Sequence, residues 1–170
     1  MIQRYRVPLG FLIAAAVLYL ATPTGLSIMG GLPIALIGAA FRALAAGVIK
    51  KDSRLATSGP YAWTRNPLYF GSSLLAAGFA VMSWNPLAAA LLMLPSILVY
   101  PQVISREEAH LQKLFGDEFH LYCRQVPRFF PHLRTGTLSF SFTQYLNNRE
   151  YNTALGFIAA CAVFAFKVTR

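Results

Sequence analysis

The sequence predicts an all-α, polytopic membrane protein with about five transmembrane helices and a cytoplasmic interfacial helical segment. Three observations carry this. The chain has 170 residues, of which 56% are hydrophobic and only 12% charged, outside the range of ordinary soluble domains. Its apolar residues run in blocks rather than at amphipathic spacing. Its basic residues are sorted between alternate connections.

The blocks are Phe11 to Ala21, Leu32 to Ile49, Leu68 to Met82, Pro86 to Val103 and Thr153 to Val168. A span needs roughly 20 apolar residues, with about 17 as a lower limit. The second and fourth blocks meet this directly; the third and fifth meet it with their flanks. The first is short, and its charged lead-in (Met1 to Arg6) also suits a cleaved signal peptide. The exit Ala21-Thr-Pro-Thr-Gly25 lacks a clear small-x-small cleavage site, which favours a retained helix.

A net charge of +9 raises nucleic acid as a partner, but the distribution argues against it. Arg4 and Arg6 precede the first block. Lys50, Lys51, Arg54 and Arg65 lie between the second and third. Arg106, Lys113, Arg124, Arg128, Arg134 and Arg149 lie between the fourth and fifth. Residues 22–31 and 83–85 contain no Lys or Arg. This is the positive-inside pattern, and it places the N terminus, residues 50–66 and residues 104–150 in the cytoplasm. Lys167 and Arg170 fall on the far side. The lipid bilayer is the expected partner, with the basic excess facing anionic headgroups.

Cys123 and Cys161 fall at different depths of this topology, so a disulfide between them is not expected. His110, His120 and His132 lack zinc-like spacing, and no metal site is expected. Walker, Rossmann and Ser/His/Asp patterns are absent from the sequence. With no repeat or long linker, residues 1–170 read as one domain.

Residues 58–70, Ser-Gly-Pro-Tyr-Ala-Trp-Thr-Arg-Asn-Pro-Leu-Tyr-Phe, place a polar, turn-rich hinge before an apolar helix. Asn66 suits the N-cap and Pro67 the first turn. Arg65, Tyr61 and Tyr69 then surround the positive helix end, a ready anion site. Trp63 and Trp84 suit an interfacial belt, and Gly38, Gly47, Gly71 and Gly78 suit close helix packing.

Arg42 lies two turns before Lys50 inside an apolar block. It must snorkel to the interface or face a cavity. Beyond the fourth block, Ile104, Leu111, Leu114 and Phe115 make an apolar stripe at helical spacing, with Gly116 as a C-terminal cap. Phe119, Tyr122 and Val126 continue that face to Pro127, and Phe129-Phe130-Pro131 reads as an interfacial wedge. Four of the six acidic residues (Glu107, Glu108, Asp117, Glu118) lie in this stretch. Glu107 and Glu108 read either as a solvated helix start or as a ligand-binding carboxylate. Adjacent positions diverge by about 100°, so at most one of the two should face such a site squarely. Glu150 reads as a helix-start charge.

Gly59-Pro60-Tyr61, Arg65-Asn66-Pro67-x-Tyr69-x-Gly71, Glu107-Glu108-x-x-Leu111-x-x-x-Phe115-Gly116-x-x-Phe119-x-x-Tyr122 and Val126-Pro127-Arg128 with Pro131 together resemble the isoprenylcysteine carboxyl methyltransferase and phospholipid methyltransferase superfamily. The resemblance covers about residues 36–131. It implies a multi-pass membrane enzyme that takes a methyl group from S-adenosylmethionine at the cytosolic face and passes it to a lipidic or prenylated acceptor, a small molecule or a protein. It further implies that Tyr61, Arg65, Asn66, Pro67, Tyr69, Glu107 and Glu108 surround the cofactor, with Arg65, Asn66 and Glu107 closest to the chemistry. Arg42, Arg106, Tyr122 and Arg128 are the candidates for the acceptor. The chain departs from the pattern at Asn66, where His is common, and at Val103, where the prenylcysteine enzymes often carry Arg.

The alternatives are a phospholipid N-methyltransferase, a sterol-reductase-like NADPH enzyme and a non-catalytic membrane protein. A reductase would need more clustered Arg and Lys near Glu107. A scaffold would leave the capped helix, acids and tyrosines without a reason.

Overall fold

The computed structural model of the chain describes residues 6–50, 53–132, 134 and 139–169. Arg4, Lys51 and Arg170, which belong to the charge pattern above, lie outside the described residues, as does the side chain of Arg6. The helices are α1 (Arg6–Leu20), α2 (Gly25–Ala46), α3 (Pro60–Trp63), α4 (Pro67–Ser83), α5 (Pro86–Leu94), α6 (Tyr100–Gln125), α7 (Phe142–Asn147) and α8 (Tyr151–Val168). The described residues contain no strand.

Three helical stretches are long and apolar enough to cross a membrane: Gly25–Ala46, the continuous Pro86–Gln125 and Tyr151–Val168. α4 and α1, at 17 and 15 residues, are shorter.

α2 starts seven residues before the apolar block that predicts it. Thr24 and Ser27 form a reciprocal capping box, the Thr24 hydroxyl accepting from Ser27 N and the Ser27 hydroxyl from Thr24 N. These bonds satisfy the Thr24 and Ser27 N–H groups, donors that a helix start leaves without an intrahelical partner. The predicted connection 22–31 therefore shrinks to 22–24. Pro33 sits inside the helix, as neighbouring helices permit in membrane proteins.

α2 packs along α4 at backbone distance. A Cβ built on Gly38 would lie 2.5 Å from Leu75 N and 2.7 Å from Gly71 O, and one on Gly71 would lie 2.8 Å from Arg42 Cγ. Gly31 and Gly78 make a second close approach, to Met82 and Ala35. Small residues replace side-chain interdigitation here, as expected where no solvent drives helices together.

α5 and α6 are joined by a π-helical turn at Pro95–Val99, closed by Tyr100 N donating to Pro95 O. Pro95 has no N–H to continue the α pattern, and the widened turn absorbs the missing bond. The fourth span thus runs on into the amphipathic helix, as expected. Gly116 ends the first arm of that amphipathic helix, as expected. With φ 49° and ψ −118° it kinks the helix, and the second arm continues to Gln125. Only glycine adopts that conformation without strain. The Phe119, Tyr122 and Val126 face packs against Leu55, Leu111, Phe115 and Cys123, within the protein.

Chain ends and connections sort to two poles. At one, Thr22 N donates to Ser83 O and the Thr22 hydroxyl to Trp84 O, joining the two charge-free turns. Lys167 Nζ donates to Leu18 O and Tyr19 O there, at the C-terminal end of α1. At the other, Arg65 N donates to Pro127 O, His132 N to Trp63 O and Asn148 Nδ2 to Ala46 O. The described residues of 50–66 and 104–150 therefore share one pole, as the charge pattern requires.

Candidate active site

A cavity of about 510 Å³ opens at this second pole. Arg65, just before α4, and Leu68, Tyr69 and Ser72 in its first two turns line it; α6 supplies Tyr100, Glu107, His110 and Leu111. α2 contributes Arg42, α3 contributes Tyr61, and the connection between them contributes Lys50 and Arg54. The volume lies in the range of cofactor pockets.

Tyr69 and Glu107 are joined directly, the phenol donating to Oε1 at 2.6 Å. The Tyr69 ring meets Tyr100 edge to face, with centroids 5.1 Å apart. Tyr100, Glu107 and His110 share one face because they stand at positions i, i+7 and i+10 of one helix. Tyr61 is buried, and burial, then the neighbouring Tyr122, pushes its phenol well above the ordinary tyrosine range. It is a neutral group at physiological pH. Tyr122 donates its hydroxyl to Tyr61 O at 2.7 Å, fixing α3 against the second arm of α6.

The two acids divide their work, as their adjacent helix positions require. Glu107 faces the cavity. Glu108 faces the other side of the helix, but it is not idle. Its Oε2 lies 2.9 Å from Arg128 Nε and its Oε1 3.2 Å from Arg65 Nε. The second contact is an ion pair by distance alone, since Arg65 Nε is buried without a hydrogen-bond acceptor in line. Arg128 also donates from Nη2 to Ser105 Oγ at 2.7 Å. This cluster locks the strand of chain after α6 onto the start of α4.

Asn66 occupies the N-cap position of α4, but its side chain does not cap the helix. Instead Nδ2 donates to Arg128 O at 2.9 Å and to Glu108 Oε1 at 3.2 Å. A carboxylate and a carbonyl are better partners for an amide N–H than its own helix offers. Thr64, fully buried, receives Asn66 N on its hydroxyl and donates that hydroxyl to Phe129 O.

Among the expected site residues, Arg42, Tyr61, Arg65, Tyr69, Glu107 and Tyr122 line the cavity, whereas Asn66, Pro67, Arg106, Glu108 and Arg128 do not. Arg106 is exposed. Asn66, Glu108 and Arg128 act on the frame of the site through the contacts above, and Pro67 is the buried first residue of α4.

Arg42 faces inward rather than snorkelling. Its Nε and Nη2 meet the two oxygens of Glu150 at 2.7 and 2.9 Å, Nη2 also reaches Thr153 Oγ1 at 3.2 Å, and Nη1 reaches Ser72 Oγ and, at 3.5 Å, Leu68 O. Glu150, expected as a simple helix-start charge, is buried and forms a bidentate ion pair. It stands before α8 but makes no side-chain cap. Sequence reasoning missed Lys50, Arg54, Ser72, Tyr100 and His110 at the cavity. Helical spacing from Tyr69 and Glu107 points to the last three; no local pattern points to the others. Among the described residues no group of three His, Cys, Asp or Glu is placed to hold a metal ion.

Known proteins resemble part of the chain. It is 35% identical over 105 residues to a cobalt-zinc-cadmium resistance protein of Cupriavidus metallidurans, covering 62% of this chain and 48% of that protein. It is 34% identical over 94 residues to a protein-S-isoprenylcysteine O-methyltransferase of Schizosaccharomyces pombe, covering 55% and 40%. The human protein-S-isoprenylcysteine O-methyltransferase is 34% identical over 86 residues, covering 50% and 30%. The chain thus spans half or less of the length of these relatives. No solved structure gives a significant match. The sequence profile of the phospholipid methyltransferase family matches residues 9–118, from α1 through the first arm of α6, and the chain belongs to that family.

Proposed function

We propose that the protein is an S-adenosylmethionine-dependent methyltransferase of the isoprenylcysteine carboxyl methyltransferase type, working at the cytoplasmic membrane surface on a lipidic or prenylated acceptor. One observation carries the reading. The first turn of α4 and the Glu107 face of α6 meet around a single cavity that is polar at its mouth and rests on apolar helices.

The residues present fit such a donor. Lys50, Arg54 and Arg65 set a positive mouth for its carboxylate. Glu107, already accepting from Tyr69, has capacity left for ribose hydroxyls. The ring faces of Tyr69 and Tyr100 tolerate a sulfonium. In the reaction, an acceptor carboxylate oxygen attacks the methyl carbon while the carbon–sulfur bond breaks and its electron pair stays on sulfur, leaving a methyl ester and a neutral thioether. No proton is released, so the chain needs no general base. Its residues supply positioning and exclusion of water. Arg42 marks the deep end with a fixed positive charge, its N–H groups committed to protein partners.

The family profile also supports a phospholipid amine as acceptor. That reaction releases a proton, and Glu107 is the nearest carboxylate to receive it.

Calorimetry with S-adenosylhomocysteine on detergent-purified protein tests the assignment. Micromolar binding that weakens in Arg65→Ala is expected; no binding to a folded protein overturns the proposal. Transfer to N-acetyl-S-farnesylcysteine or to phosphatidylethanolamine then separates the two acceptors.

A further inference from the structure

We propose that Glu150 is a positioning residue of the site and that the C-terminal helix α8 is part of the transfer machinery through it. This rests on the methyltransferase reading of the cavity.

Glu150 lies 108 residues beyond Arg42 in sequence, yet it meets that guanidinium side-on, with both carboxylate oxygens engaged. Thr153, on the first turn of the same helix, takes another N–H of the group. Ser72 and Leu68 O, from α4, hold the opposite edge. The guanidinium is therefore clamped between α8 and α4, and its five N–H groups are matched by five protein acceptors. Glu150 is not itself among the residues that line the cavity; it stands behind Arg42 and acts through it.

Such a clamp is more than a way to bury a charge. A lone arginine at this depth would snorkel toward the headgroups, drawn by the cost of burial. Glu150 removes that drive by supplying the counter-charge at depth. It thereby holds the positive end of Arg42 at the cavity floor, where the acceptor group must be aligned with the donor methyl. Small misplacements of aligned groups are costly to transfer rates. Both Glu150 and Thr153 lie outside the segment that the family profile matches, residues 9–118.

The test compares parent, Glu150→Gln, Glu150→Asp, Thr153→Val and the exchanged pair Arg42→Glu/Glu150→Arg. It uses whichever of N-acetyl-S-farnesylcysteine and phosphatidylethanolamine the parent methylates. Glu150→Gln is expected to lower kcat by about 100-fold, with S-adenosylhomocysteine affinity within about threefold of the parent. Glu150→Asp should recover part of the rate, and Thr153→Val, which removes one acceptor but no charge, should lose less than Glu150→Gln. The exchanged pair should recover thermal stability without recovering rate, because the positive charge then stands behind the floor. Equal rates in a folded Glu150→Gln overturn the inference while leaving the methyltransferase reading intact. Recovery of rate in step with stability in the exchanged pair overturns it too, since that marks a purely structural pair. If Glu150→Gln does not fold, Thr153→Val decides, and an unchanged rate there counts against the proposal. A parent that binds S-adenosylhomocysteine but methylates neither acceptor, or that does not bind it, overturns the reading and this inference together.

Discussion

Tyr69 and Glu107 are bonded at 2.6 Å across the gap between α4 and α6, so a phenol and a carboxylate that both line the cavity join its two halves. A bond to a charged acceptor contributes about 1.5–3 kcal/mol when buried and less when partly exposed, as here. Tyr69→Phe should weaken S-adenosylhomocysteine binding about tenfold, corresponding to about 1.4 kcal/mol. Glu107→Gln should weaken it at least as much. A double-mutant cycle measured by calorimetry should give a coupling near 1 kcal/mol; strict additivity would mean that the pair does not act together on the ligand.

Glu108 should matter to the fold rather than to the ligand. Glu108→Gln leaves Arg65 and Arg128 without their shared carboxylate and should cost about 1–3 kcal/mol of stability. Asn66→Asp removes both amide donors and sets a second carboxylate against Glu108, so it should be at least as harmful. Melting temperatures in one detergent check the order, with both variants below Glu107→Gln.

The contact between α2 and α4 leaves no room for a methyl group. Gly38→Ala should destabilise by about 1–3 kcal/mol through overpacking. Gly71→Ala strikes Arg42 Cγ as well as Gly38 O, so it should depress methyl transfer beyond what its loss of stability explains. A Gly71→Ala protein with parental rate and parental melting point would contradict the packing described.

Topology is open to a direct experiment. Single cysteines at Ser58 and Gln125, in a background lacking Cys123 and Cys161, should both react from the cytoplasmic side with a membrane-impermeant reagent. Labelling from opposite faces would separate the two halves of the cavity and remove the site.

Much of this was legible from local pattern. The Arg65–Tyr69 segment and Glu107 are placed together because a capped helix start and a helical stripe on the same membrane side have few ways to avoid each other. The orientation of Asn66 was not legible. Its choice between capping α4 and bonding Glu108 depends on where Arg128 O and Glu108 arrive, and both come from beyond α5. The early start of α2 was hidden because Gly30, Gly31 and Pro33 read as a turn until α4 is seen pressed against them. The partnership of Arg42 and Glu150 leaves no local trace, since a charge in an apolar helix and a charge at a helix start each have a sufficient explanation alone.

Lys167 shows how one side chain can carry a positive charge at the pole opposite the basic connections. It lies at the pole whose turns hold no other described Lys or Arg, and its ammonium donates to Leu18 O, Tyr19 O and Ala21 O. Those carbonyls end α1 and carry the negative pole of its backbone dipole. The lysine is thus matched by a helix terminus rather than by phosphate headgroups or water, and in the finished protein it acts as an internal counter-charge to α1.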